Sequence, residues 1–159
     1  MTQTEIAVKM VLERWNASIK NVDTLLELLN DEKLSNEIAP NKNRGIYILG
    51  HLIAVHDDML VLLNMGEKVY PELNEPFIKL ADKATDKIPT LAELRAYWIN
   101  QCNIMNEQFS TMKPTDWFEK HTAVTAEDFE KEPTRNKLNI IITRTSHLQY
   151  HLGQLQLLK

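Results

Sequence analysis

The sequence predicts an all-α protein built as a bundle of four long helices. Apolar residues recur every three or four positions over four long segments, which is the spacing of a helix with one buried face. Only 4 of the 159 residues are glycine, and no stretch of any length alternates as a strand would. A chain of this length can bury one core but hardly two, so we expect residues 1–159 to form a single domain.

The first two helices are predicted from this periodicity. The first runs from about Thr4 to Asn30 along one continuous apolar stripe. The second runs from about Asn43 to Met65, with Gly66 as its stop. It is apolar around so much of its circumference that we expect it to be deeply buried.

The third and fourth helices carry recognisable start signals. Thr90 can cap the third helix while Glu93 reaches back to the cap, which is a capping box. The fourth starts shortly after Pro133, with Thr134 as its candidate cap, and continues almost to Lys159.

The connections between the four helices are unequal in length. About a dozen residues join the first two helices, and the other two connections are each about twice as long, enough to run the length of a bundle. A simple up-down-up-down order is therefore not required. The segments Tyr70–Ala84 and Thr125–Lys131 are each predicted to form a short extra helix.

Charge and composition narrow the partners and the compartment. The net charge is -4 and the basic residues are scattered, so we expect no nucleic-acid partner. Charged residues and histidines interrupt the longest apolar segment, so we expect no membrane helix, which needs about 20 apolar residues. No export signal is recognisable and Cys102 is the only cysteine, so we expect a cytoplasmic protein.

Two histidines stand four residues apart near the end of the chain, in SHLQYHLGQ. On a helix, His147 and His151 share one face with Cβ atoms roughly 5–6 Å apart, so their imidazoles can converge on one ion. The pair borders the apolar face of its helix. By itself the pair is a weak signal, because most such pairs are packing or surface histidines rather than metal ligands.

A third histidine, His51, lies in GHLIAVHDDM on the most apolar helix. Burying an imidazole without a partner costs a few kcal/mol, and a metal ion would supply that partner. A hydrogen bond to a neighbouring helix is the alternative. With a second pair facing the core, the pattern favours a site of three histidines.

The segments NRGIYILGHLIAVHDDM and HLQYHLGQL, about 100 residues apart, resemble the DinB/YfiT-like superfamily of metalloproteins over essentially the whole chain. The resemblance implies His51, His147 and His151 as ligands of a divalent metal. It also implies up-down-down-up connectivity of a four-helix bundle, and a homodimer.

Three imidazoles suit an open rather than a closed metal site. Structural zinc has four protein ligands, whereas three leave a position for water or substrate. Imidazole ligands are compatible with zinc, nickel, iron and manganese, and we expect zinc first and nickel second. Cys102 and Gly153 are predicted to serve packing, Gly153 by permitting close approach of another helix.

Five other residues are weaker candidates for the site. Asp58 is a candidate base or acceptor behind a ligand, although a solvated acid at the helix end is the favoured alternative. Gln154 and Tyr150 could orient a ligand or touch substrate. No catalytic residue is identified beyond these. His56 is rotated away from His51 and is expected to be a packing or surface residue. His121 lies in a long connection and could be a ligand only if that connection folded inward.

Three functions are compatible with this pattern. The first is a metal-dependent enzyme that acts on a small molecule and activates water or a low-molecular-weight thiol, as a hydrolase or thiol-dependent transferase. The second is a metal-binding or stress-associated bundle without turnover, acting through self-association or a protein partner. The third is a metal-free helical scaffold.

Overall fold

The computed structural model describes residues 1–159, and all its regular secondary structure is helical, which confirms the predicted all-α class. Four long helices and two short ones follow one another along the chain: α1 (Gln3–Leu28), α2 (Asp31–Ser35), α3 (Gly45–Leu62), α4 (Leu91–Thr111), α5 (Ala126–Lys131) and α6 (Lys137–Leu155). The long helices α1, α3, α4 and α6 are those predicted from the apolar periodicity.

Side-chain caps set the helix starts. Thr90 and Glu93 form the predicted capping box of α4. The predicted cap of α6 was wrong, because the hydroxyl of Thr134 donates to the Glu132 carboxylate instead. Asn136 caps α6, and its side chain accepts from the backbone N–H of Asn139.

The connections contain more short structure than was predicted. A 3₁₀ turn at Pro71–Leu73 and a π-helical turn at Glu75–Lys79 lie within the segment predicted as a short helix. The second predicted short helix, over Thr125–Lys131, is α5, and Thr125 is its cap. Neither α2 nor the earlier end of α3 was predicted; α3 ends at Leu62, and Asn64 then adopts a left-handed φ of 58°.

A single core of 30 buried residues joins the long helices, and α3 packs against both α4 and α6. By length and hydropathy α3 could cross a membrane, but 67% of it is buried within the protein, as is typical of a core helix. The up-down-down-up connectivity, the homodimer and the cytoplasmic location stay predictions.

Gly50 is the position where α3 needs a glycine. A Cβ at this position would overlap the ring of Phe77, which is completely buried against the helix. Gly153 was predicted to allow such an approach on α6, and this was wrong: it is exposed, with no neighbouring atom within 4 Å of a Cβ. The close approach lies next to His51 instead.

Gly50→Ala should therefore destabilise the protein, whereas Gly153→Ala should not. The first substitution overpacks the core and should lower the free energy of unfolding by about 1–3 kcal/mol. The second gains helix propensity and should change it by between zero and about +1 kcal/mol. Urea unfolding of the two variants measures both values, and equal effects would show that the Phe77 contact does not constrain Gly50.

Candidate metal centre

The three predicted ligands lie together between α3 and α6. The Nε2 atom of His147 is 3.1 Å from Nε2 of His51 and 3.1 Å from Nε2 of His151. One nitrogen from each of the three rings lies within 4.8 Å of the other two. Residues separated by about 100 positions in the chain thus present three imidazole nitrogens to one small volume.

Two of the three rings are held by hydrogen bonds from their other nitrogen. His51 Nδ1 lies 2.8 Å from the backbone carbonyl of Phe77, and His151 Nδ1 lies 2.7 Å from Oε1 of Gln154. Both partners are acceptors, so each Nδ1 carries the hydrogen and each Nε2 keeps its lone pair. This is the tautomer in which histidine binds metal through Nε2, with the second nitrogen oriented by an acceptor.

The third ring, that of His147, completes a set that fits a divalent ion. Its Nδ1 is buried without a hydrogen-bond partner. A proton on its Nε2 could satisfy only one of the two facing lone pairs, whereas an ion can satisfy all three nitrogens. Nitrogens bound tetrahedrally to one zinc at about 2.0–2.1 Å lie about 3.3 Å apart. The Nε2 atom of His147 lies 3.1 Å from Nε2 of each of its two neighbours, which is close to that value. The cluster could hold such an ion.

Burial keeps the imidazoles of His147 and His151 in the neutral form that binds metal. Desolvation, followed by the nearby charges of His151 and His51, lowers the pKa of His147 to about 4. Desolvation also lowers the pKa of His151, although its hydrogen bond to Gln154 acts in the opposite direction. Near pH 7 His147 and His151 are therefore unprotonated, and a metal would not have to displace protons from them.

Of the three further candidates, two touch the cluster. Gln154 holds His151 and also donates through Nε2 to the hydroxyl of Tyr150, 3.2 Å away. The Tyr150 ring stands edge-on to the His151 ring, with centroids 5.1 Å apart. Asp58 makes no hydrogen bond to the histidines, because its carboxylate pairs with Lys68.

Two contacts to His51 were missed by the sequence analysis. The Phe77 carbonyl reaches His51 from the π-helical turn, and a backbone acceptor leaves no mark in the residue type. The ring of Tyr47 stacks on that of His51, with planes 10° apart and centroids at 6.4 Å, and its hydroxyl donates to the Leu80 carbonyl. The four-residue spacing from Tyr47 to His51 was the available signal.

The remaining candidates lie outside the cluster. His56 is a buried packing residue between the rings of Trp15 and Trp98, at 5.1 and 5.2 Å, and both its nitrogens lack partners. His121 is partly buried in the connection before α5. Cys102 lines a cleft of about 300 Å³ between α1 and α4, where burial raises the pKa of its thiol to about 12.

Gln154→Ala should weaken zinc binding by about 10- to 100-fold. The substitution removes the acceptor that fixes the His151 tautomer, and the loss of such a supporting partner typically has this effect. Gln156→Ala, at an exposed position two residues later, is the matched control and should bind zinc as the wild type does. A competition titration gives both affinities. Unchanged affinity in Gln154→Ala would mean that the amide does not support the ligand.

His56 should make the stability of the metal-free protein depend on pH. Burial lowers its pKa to about 3, from an ordinary value of 6.5. Below about pH 6.5 His56 binds a proton in the unfolded chain but not in the folded protein. The free energy of unfolding therefore falls as the pH drops towards 3. Near pH 5 this amounts to about 2 kcal/mol. Between pH 7 and pH 5 the free energy of unfolding, measured with urea, should fall less in His56→Leu than in the wild type, by about that amount. Parallel curves of this free energy against pH for the two proteins would contradict the prediction.

Comparison with known proteins agrees with this architecture. The sequence model of the DinB superfamily matches residues 14–155. A crystal structure described as the conserved protein of locus from Enterococcus faecalis is similar in fold, with a TM-score of 0.61 and 15% identity, over 98% of this chain and 94% of that one. No curated protein matches the sequence. Because the match covers most of the length, the chain belongs to the DinB superfamily.

Proposed function

We propose that this protein is a divalent-metal-dependent enzyme that activates a small-molecule thiol or water, as a thiol-dependent transferase or a hydrolase. The observation that carries the proposal is the convergence of three Nε2 atoms, two of them on rings whose tautomer is fixed by an acceptor behind. His51, His147 and His151 would hold the ion, with zinc or nickel the best fit to a set of imidazoles.

Groups of the protein hold the histidine rings where an ion would bind. A divalent ion bound by three neutral ligands would act as a Lewis acid and lower the pKa of a water or thiol beside it. The Phe77 carbonyl and the Gln154 amide hold two of the rings in place, so little rearrangement is needed when the ion binds. The aromatic ring of Tyr47 lies nearly parallel to that of His51, with centroids 6.4 Å apart.

Thiol transfer is the better supported of the two reactions. Hydrolysis commonly uses a carboxylate or histidine to take the proton of the attacking water. Asp58, the carboxylate predicted nearest to this role, is paired with Lys68. A thiol is more acidic than water and loses its proton beside a metal without a separate base.

The experiment is a turnover assay of electrophilic small molecules with several thiols and the zinc- or nickel-loaded protein. We expect thiol-dependent product formation in the wild type and in His121→Ala, whose histidine lies outside the cluster. In His151→Ala the rate should fall to that of the uncatalysed reaction. Equal rates in wild type and His151→Ala would remove the three histidines from the mechanism.

One observation also favours a second function, that of a metal-binding bundle without turnover that self-associates or binds a protein. No carboxylate hydrogen-bonds to the histidine cluster, so a general base is not in place. This alternative predicts tight metal binding with no thiol or substrate competing for the ion. The assay above, repeated as a binding titration of the thiols, separates the two functions.

A further inference from the structure

Arg144 is a partly buried arginine without a partner. It lies on α6 three residues before His147, which places the two side chains on neighbouring positions of one helix face. Its guanidinium makes no hydrogen bond and no ion pair within the protein, and burial lowers its pKa. A guanidinium has five donors, so leaving it half-buried and unpaired is unfavourable.

The other partly buried arginines are all paired. Arg44 forms a two-pronged ion pair with Asp82, at 2.7 Å for the shortest contact. Arg95 donates to two backbone carbonyls at the end of α1 and to Asp31. Arg144 is thus the exception, and it is also the arginine beside the histidine cluster.

No acid of the protein forms an ion pair with Arg144. Asp58 acts on its charge without contacting the guanidinium, and that carboxylate is paired with Lys68. Arg144 therefore keeps its charge without an ion-pair partner on the face of α6 that carries His147.

The charge around the cluster becomes strongly positive if an ion is bound. Three neutral imidazoles leave the two positive charges of a divalent ion uncompensated, and Arg144 adds a third within the same region. Like charges at short range in a partly buried site repel appreciably. An anionic ligand that contacts both the ion and Arg144 would remove this repulsion and satisfy the guanidinium.

We propose that Arg144 binds the carboxylate of a small thiol whose sulfur lies at the metal, so that the thiol substrate of this site is a carboxylate-bearing one. The proposal rests on the function proposed above. The planar guanidinium matches a carboxylate with two parallel hydrogen bonds. Arg144 and His147 are three residues apart, which is a helix rise of about 4.5 Å, so the proposal is tested with a short carboxylate thiol.

The test compares two thiols of equal size on the zinc-loaded protein. Calorimetry would give the affinity of 3-mercaptopropionate, which carries a carboxylate, and of 3-mercaptopropionamide, which is neutral. In the wild type we expect the carboxylate thiol to bind about 10-fold more tightly or better. In Arg144→Met the two affinities should become equal within about twofold, with the amide bound as before. Arg144→Lys should restore part of the preference.

Arg135→Met is the matched control. It removes the same charge from an exposed position twelve residues before His147, in the turn that precedes α6, and should keep the wild-type preference. If Arg144→Met retains the preference, or the wild type has none, Arg144 is not the anion site although the metal site stands. If neither thiol binds the zinc-loaded wild type, the thiol function fails together with the inference.

Discussion

Replacing any one of His51, His147 and His151 with alanine is expected to weaken zinc binding by about 100- to 1000-fold. Structural zinc sites with four ligands bind with about 10–16 kcal/mol, so each ligand contributes about 2.5–4 kcal/mol. The remaining two imidazoles cannot surround the ion, although they keep their geometry. Competition with a coloured chelator at constant pH measures the affinities.

His121→Ala is the control for this set, because His121 is a histidine of the same chain outside the cluster. Its affinity for zinc should equal that of the wild type. If one of the three alanine variants kept the full affinity, that histidine would not be a ligand.

Zinc is expected to raise the midpoint of thermal unfolding by about 8–16 °C. An ion that binds the folded protein only, at a free concentration 1000 times its dissociation constant, stabilises by about 4 kcal/mol. For a chain of this size each kcal/mol corresponds to about 2–4 °C. The effect arises because the ligands join α3 to α6, two helices that contribute to the same core.

Calorimetric scans with zinc and with a chelator would measure this shift. His51→Ala should lose most of it, because the only ligand from α3 is then absent. An equal shift in wild type and His51→Ala would mean that zinc stabilises the protein at some other place.

Much of the fold could be predicted because the long helices are specified by residues close together in the sequence. The stripe of α1 and the capping box at Thr90 depend on residues within a few positions of each other. The errors fell where a competing partner decided the outcome. Thr134 was a suitable cap by type, but Glu132 already occupies its hydroxyl, and Asn136 caps α6 instead.

The three histidines could be proposed as a cluster because each had a signal: a four-residue spacing for His147 and His151, and an apolar setting for His51. What supports them could not be predicted. The Phe77 carbonyl reaches His51 from a turn 26 residues further along the chain, and any residue type can supply a carbonyl. Its position depends on a ring packed against Gly50, a long-range contact.

Asp58 illustrates the same limit for charged groups. Its spacing from His51 placed it on nearly the same stripe of α3, which made it a reasonable candidate for the site. In the structure the Asp58 carboxylate instead forms an ion pair with Lys68, a residue beyond the end of that helix. Helical spacing shows which side chains share a face, but it does not show which of them pairs with a residue outside the helix.

The central claim is that His51, His147 and His151 bind one metal ion through Nε2, and nitrogen NMR of the histidine rings tests it most directly. Long-range ¹H–¹⁵N correlations on the zinc-loaded protein would report the state of all five histidines. We predict that these three carry hydrogen on Nδ1 and shift at Nε2 when zinc is added, while His56 and His121 do not change. A zinc-dependent shift at His56 or His121, or none at one of the three, would contradict the claim.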